Sequence, residues 1–341
     1  GMMEVARSGV FHPEMFTFAE VMLLFLAVMF TNVILLDIFN TLGMPTSTTV
    51  SLVFGLLGAA VGISIFKIAN DALVTLPDGS LATMADMINT GNAMAIIGGI
   101  LISVVIAFVC GTVVMYITRL IFSFRYQSKL KSYGAVWCGI ALTAISYFAV
   151  FKGLKGTQVI PADWMSWMEG HIPMMLGGLL VGWSLIMSIL SMLKVNILRI
   201  TVLAGTFSLA LAFAGNDLVN FIGVFVAGVD AYDIVRTTGD TNMLMGGLND
   251  PVVANLLILF LSGAVMVVTL WFSKKAQSVS DTEINLARQD VGVERFGSTS
   301  ASRAIVRATI NCNKNYEKYT PERIQRFIAS RFVPVANAKD K

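Results

Sequence analysis

The sequence has few charges, few cysteines and few histidines, and each shortage excludes a class of protein. Charged residues make up 13% of the 341 residues, about half the fraction found in soluble domains. The three cysteines, Cys110, Cys138 and Cys312, have no paired spacing, so we expect no disulfide framework. The two histidines, His12 and His171, are too few and too scattered for a histidine-based metal centre.

The sequence is instead rich in long apolar runs. Hydrophobic residues make up 56% of the chain and the mean hydropathy is +0.75. A helix needs about 20 apolar residues to cross the hydrocarbon core of a bilayer. Candidate spans are 18–36, 46–68, 93–124, 134–152, 172–193, 199–229 and 252–273. We therefore predict an all-α polytopic membrane protein with about 6–8 transmembrane or re-entrant helices, followed by a small helical cytoplasmic segment.

The distribution of basic residues predicts the orientation of these spans. Basic residues cluster at three turns: Arg125, Lys129 and Lys131; Lys194 and Arg199; Lys274 and Lys275. The loop 70–92 carries three aspartates and no base. Because short basic loops stay in the cytoplasm, we expect 70–92, 153–171, 230–250 and the N-terminus outside, and the tail after Lys275 inside.

A first polar motif separates the first two apolar runs, in DIFNTLGMPTSTTVSLVFG (residues 37–55). Gly43 and Pro45 should break the helix, and backbone freed at membrane depth is tolerated only against protein or water. Four hydroxyl residues then open the next run: Thr46, Ser47, Thr48 and Thr49. Hydroxyls and free N–H groups at a helix start attract an anion. The alternative is a kinked helix whose hydroxyls bond back to its own carbonyls.

A second polar motif interrupts the apolar run over 211–228 with Asn216, Asp217 and Asn220. An ionisable group at membrane depth costs about 2.5–3.5 kcal/mol and usually marks an ion or substrate path. Asp217 and Asn220 repeat the spacing of Asp37 and Asn40, and residues three apart share a helix face. Both pairs could supply oxygen ligands to a hard cation, whereas a helix–helix hydrogen-bond cluster is the alternative. Since neither motif has a base near its middle, hydroxyls, helix N-termini and co-bound cations would have to compensate the charge of a bound anion.

At these residues the chain resembles the inorganic phosphate transporter family, often called PiT or Pho4. That family has two inverted repeats, each with a Gly-Ala-Asn-Asp-x-x-Asn helix and a Pro-x-Ser-Thr-Thr hairpin tip. Here MPTSTTV (44–50) matches the tip and AGNDLVNFIG (214–223) matches the helix, while AISYFAVFKGLKG (144–156) resembles the approach to the second repeat. Two departures are Val50, where the family usually has a polar residue, and the exchanged order of Ala and Gly before Asn216.

The resemblance implies a symporter that moves inorganic phosphate with sodium or protons by alternating access in a bacterial inner membrane. The implied phosphate-binding residues are Thr46, Ser47, Thr48, Thr49 and Asn216. The implied cation-binding residues are Asp37, Asn40, Asp217 and Asn220. Sodium at Asp37 and Asp217 is the one metal expected, with no other cofactor, no catalytic residue and no nucleic-acid partner. The other expected partners are the lipid bilayer and a second copy of the chain in a homodimer.

The resemblance also divides the chain. Residues 1–156 correspond to the C-terminal part of repeat 1, residues 157–273 to the N-terminal part of repeat 2, and residues 274–341 to a cytoplasmic linker. Each motif occurs once, so we expect the central part of a longer transporter. Such a chain should transport poorly unless a homo-oligomer or a second chain supplies the missing elements, since these sites form at the repeat interface.

Two alternative functions and two interpretations of the C-terminal tail also fit the sequence. A sulfate permease of the same fold is the nearest alternative, and a non-transporting scaffold with a partner-binding tail is another; an enzyme is least expected. In the tail, we expect Thr320 as an N-cap, Pro321 at the first helical position and Glu322 in the first turn of a helix. An apolar stripe follows, made of Ile324, Phe327, Ile328 and Phe332. It indicates either a segment that packs on itself or a partner, or a basic helix that binds lipid.

Overall fold

The computed structural model describes residues 2–124, 126–154, 160–250, 255–286 and 297–332. Within these residues the chain forms helices and no β-strand. The longer helices are α1 Phe18–Thr41, α2 Thr48–Ala69, α3 Thr90–Phe122, α4 Tyr126–Phe148, α5 Ile172–Met192, α6 Ile197–Thr238, α7 Leu256–Phe272, α8 Lys274–Leu286, α9 Ser300–Tyr319 and α10 Glu322–Arg331. Shorter helical segments occupy Met2–Glu4, Val5–Gly9, Pro13–Met15, Met84–Met87, Ala149–Leu154, Ala162–Gly170 and Gly246–Asn249.

All seven predicted apolar runs lie mainly in helices where the structure describes them; residues 252–254 of the last run lie outside the described residues. Among the residues that the structure describes, six helices are long and apolar enough to cross a membrane, and α7 with α8 makes a seventh candidate that bends by 72°. This confirms the predicted all-α polytopic membrane protein.

The first two spans form a helical hairpin. The backbone N–H of Thr17 donates to Glu20 Oε2 (2.8 Å), which closes the first turn of α1. The helix ends where Gly43 adopts a φ of +62° and the Met44 N–H donates to the Phe39 carbonyl (2.9 Å). Glycine takes this left-handed conformation without a steric penalty. The predicted break at Gly43 and Pro45 is therefore confirmed.

The chain divides into two compact units, residues 1–103 with 214–291, and residues 104–213 with 292–341. The unit boundaries fall inside α3 and α6. The predicted repeat boundaries concern internal symmetry, which this division does not test, so they stay predictions.

The first unit holds the hairpin, the start of α3 and the second half of α6. Its core joins α1, α2 and α6 to the N-terminal segment, where Phe11 and Phe16 are completely buried. Phe11 pairs with Ile88, and Thr17 pairs with Leu244, through isolated antiparallel β-bridges of the backbone. The N-terminus and the loops 70–92 and 230–250, all expected outside, thus lie together; the side of the membrane stays a prediction.

The second unit is built on the packing of α4 against α5. A side chain at Gly139 would overlap the Ser184 hydroxyl, and a β-carbon added at this glycine would also lie only 3.0 Å from the Ser184 backbone. The two helices can approach closely only because this position is glycine. Trp183 Nε1 donates to Ser146 Oγ (3.0 Å) across the same interface.

Candidate functional site

The two polar motifs meet in the first unit. The Thr48 hydroxyl donates to Asp217 Oδ1 (3.1 Å). The Asn220 amide donates to the hydroxyls of Thr48 (2.9 Å) and Thr49 (2.8 Å). Residues about 170 positions apart in the sequence, at the start of α2 and within α6, therefore share one hydrogen-bond cluster. We call Thr48, Thr49, Asp217 and Asn220 the tip cluster.

One buried acceptor of the tip cluster is left open. Asn220 is 2% exposed, and its Oδ1 has no hydrogen-bond partner among the described residues. A buried acceptor without a partner costs about 1–3 kcal/mol. Such a group in a native fold calls for an explanation, and a bound cation or donor is one.

The start of α2 adds a helix dipole to the cluster. Ser47 is the N-cap residue, and its hydroxyl accepts from the Val50 N–H (3.3 Å). Thr48 and Thr49 occupy the first helical positions, while Thr46 and Ser47 are exposed at the tip. No lysine or arginine occurs within 38–66 or 200–235. Within the two motifs themselves, hydroxyls, amides and the positive end of a helix are therefore the groups that could hold an anion.

A further polar pair supports the hairpin one turn beyond the cluster. The Ser51 hydroxyl donates to Asn32 Oδ1 (2.6 Å), joining α2 to α1. Sequence reasoning missed both residues. The signal was present, because Ser51 follows Thr48 by three positions and so lies on the same helix face.

The structure places Asp37 in a different environment from Asp217. Asp37 Oδ1 lies 2.5 Å from the Lys275 ammonium in an ion pair whose side chains are about half exposed. The Thr282 hydroxyl donates to the Gly43 carbonyl (2.7 Å), so α8 lies against the hairpin tip. Asn40 contributes its backbone carbonyl, which accepts from the Gly43 N–H (3.1 Å).

The structure therefore brings together four of the predicted site residues, the tip cluster itself. Ser47 caps the same helix start, and Thr46 precedes it. Asp37 and Asn40 lie at the end of α1, and the side chain of Asn216 lies outside the described residues. The ligand that each residue holds stays a prediction.

Sequence reasoning also missed two buried ion pairs at the other end of the hairpin. Lys67 is 2% exposed, and its ammonium lies 2.7 Å from Glu20 Oε2. Arg7 is 4% exposed, and its Nε lies 3.3 Å from Asp230 Oδ2. Arg7 also donates to the Asp250 carbonyl (2.6 Å). We call Lys67, Glu20, Arg7 and Asp230 the ion-pair end.

Comparison with known proteins gives one match. The family model described as PHO4: Phosphate transporter family matches residues 1–276. No curated protein and no solved structure gives a significant match. The matched region contains both polar motifs and α1–α7, and it ends before α9 and α10.

Proposed function

Because this chain belongs to the phosphate transporter family, we propose that it moves inorganic phosphate by cation-coupled symport with alternating access. The observation that carries the proposal is the hydrogen bond from Thr48 to Asp217. It joins the motif suited to an anion to the motif suited to a cation. Phosphate is held by the hydroxyls of residues 46–49, the start of α2 and Asn216.

The coupling follows from the charge of Asp217. A carboxylate about 4 Å from a phosphate oxygen repels it by about 4 kcal/mol at the effective dielectric of a protein surface. The one hydroxyl hydrogen of Thr48 is also engaged by this carboxylate. Sodium or a proton at Asp217 removes the repulsion and releases the Thr48 hydroxyl to donate to phosphate. Each ligand then raises the affinity for the other, as linkage requires.

Asn220 fits the cation side of this scheme. Its open Oδ1 is one turn from Asp217 on the same helix face, so both oxygens can contact one ion. Its amide hydrogens already fix the two threonine hydroxyls. A cation bound by Asn220 and Asp217 therefore orders the groups that receive phosphate.

The test measures uptake of radiolabelled phosphate in cells that express the complete protein, with and without sodium and over a range of pH. Asp217→Asn should reduce cation-dependent uptake about 5–150-fold, the usual range for coupled sites. The matched control is Asp71→Asn, which removes an exposed loop charge and should leave uptake unchanged. Full cation-dependent uptake in Asp217→Asn would contradict the proposal.

Two further measurements separate the alternatives. Arsenate should compete with phosphate, because both are tetrahedral anions of the same charge, and sulfate should compete weakly. Equal competition by sulfate favours the sulfate permease. A Ser47→Ala, Thr48→Ala double variant should abolish uptake, whereas unchanged physiology in that variant favours a non-transporting scaffold.

A further inference from the structure

The helix α9 follows the region shared with the family and is exposed over most of its described length, with Tyr316 partly buried near its end. Every residue over 300–314 is exposed. Ile305, Val306 and Ile310 are 54%, 57% and 50% exposed. In proteins, most of a helix's stability comes from packing its apolar face rather than from intrinsic propensity. The helix therefore requires something that covers it.

The helix has two different faces. At 100° per residue, Ile305, Cys312 and Tyr316 lie on one side, whereas Val306 and Ile310 lie about 100° and 140° round from Ile305, toward the basic residues. The basic residues of α9 lie on the opposite side: Arg303, Arg307, Lys314 and Lys318. A helix with apolar residues on one face and Lys and Arg on the other is typical of a membrane-surface helix.

The whole segment is strongly basic. Residues 297–332 contain seven Lys or Arg and two Glu, a net charge of +5, whereas the complete chain carries +3. In α10, Ile324 and Phe327 are 48% and 52% exposed beside three arginines. The partner that complements this segment is both apolar and negatively charged.

A contact within the second unit places the segment at the end of a membrane span. The Phe332 ring, directly after α10, stacks on Tyr116 of α3 with ring centroids 5.5 Å apart. Tyr116 lies near the end of the long apolar run, three residues before Arg119. Aromatic and basic residues of this kind mark the membrane–water interface. The bilayer surface is therefore within reach of α10.

We propose that α9 and α10 bind the anionic phospholipids of the bilayer that holds the spans. The apolar face of α9 enters the boundary between headgroups and acyl chains, and the basic side chains extend to lipid phosphates. Each base near an anionic surface strengthens binding about fivefold. The proposal does not depend on transport, because the segment lies outside the matched region.

The test reports the depth of Cys312 in the full chain, reconstituted in nanodiscs. Cys110 is replaced by Ala, Cys138 is buried and stays, and the exposed Cys312 carries an NBD fluorophore. Nanodiscs of phosphatidylcholine, with or without phosphatidylglycerol, contain a doxyl-labelled lipid that quenches NBD within the bilayer. We expect strong quenching in the anionic nanodiscs, weak quenching in the neutral ones, and loss of quenching near 1 M salt, where the Debye length is about 3 Å.

Two variants complete the test. The quadruple variant Arg303→Gln, Arg307→Gln, Lys314→Gln and Lys318→Gln should lose quenching in anionic nanodiscs. The matched label control is Asn311→Cys with Cys312→Ala, which moves the fluorophore to the basic face and should give weak quenching. Equal quenching in neutral and anionic nanodiscs would overturn the proposal. A buried but unquenched fluorophore would also overturn it, because a protein partner or a second copy would then cover α9.

Discussion

The tip cluster and the ion-pair end lie at opposite ends of one helical hairpin, and their acidic side chains have different partners. At the ion-pair end, Lys67 meets Glu20 and Arg7 meets Asp230. At the tip, Asp217 meets only neutral groups in the described contacts, a hydroxyl and through it an amide. One end balances its charges within the chain, whereas the contacts that the structure describes at the other end give Asp217 no basic partner.

The difference indicates which end serves the structure and which serves a ligand. Charges that are paired inside the fold fix its geometry, and the N-terminal segment closes over them with Phe11 and Phe16 fully buried. The tip combines an open buried acceptor with exposed residues at Thr46 and Ser47. A small ion can thus be accommodated at the tip without breaking an ion pair.

The largest expected effect tests the structural role of the ion-pair end. Lys67→Met leaves Glu20 without its cation and should reduce the free energy of unfolding by about 3–5 kcal/mol. Adding Glu20→Gln should recover part of the loss, because the uncompensated charge is removed while the side chain can still accept from the Thr17 N–H. Chemical unfolding in detergent measures both variants.

The matched control for this prediction is Lys131→Met, which removes a lysine that is exposed. It should change the free energy of unfolding by less than about 0.5 kcal/mol. If Lys67→Met were as mild as the control, the ion-pair end would not be a structural element and the comparison would fail.

Local signals in the sequence predicted the tip well. Gly43 and Pro45 cannot continue a helix, and a run of hydroxyl residues after such a break marks a helix start. The spacing of Asp217 and Asn220 placed both on one face of α6, where the structure has them. The sequence alone did not determine which threonine each would contact.

The ion-pair end and the partner of Asp37 could not be predicted in the same way. Lys67 and Glu20 are 47 residues apart, and nothing local joins them until α1 and α2 pack as an antiparallel hairpin. Asp37 and Asn40 have the same spacing as Asp217 and Asn220, yet Asp37 meets Lys275. Spacing fixes a shared helix face, whereas tertiary packing decides what that face meets.

The intermediate effect tests the tip cluster itself. Thr48→Val keeps the shape of the side chain but leaves Asp217 and Asn220 each without one partner. We expect a loss of about 1–3 kcal/mol in the free energy of unfolding, below that of Lys67→Met because water and ions can replace the hydroxyl. The matched control Thr48→Ser keeps the hydroxyl and should lie within about 0.5 kcal/mol of the unchanged protein. Equal losses in the two variants would show that methyl packing, rather than the hydrogen bonds, is what matters at Thr48.

The smallest effect concerns the ion pair between Lys275 and Asp37, which resembles neither end. Both side chains are about half exposed, so Lys275→Gln should change the free energy of unfolding by at most about 1 kcal/mol. The Lys275 ammonium pairs with one carboxylate oxygen of Asp37, a predicted cation ligand. If Asp37 holds sodium, removal of the ammonium should lower the sodium concentration needed for half-maximal uptake. The control Lys274→Gln removes the neighbouring charge, for which the structure gives no ion pair with Asp37. An unchanged sodium dependence in Lys275→Gln would leave Asp217 and Asn220 as the cation site and assign Asp37 to the docking of α8.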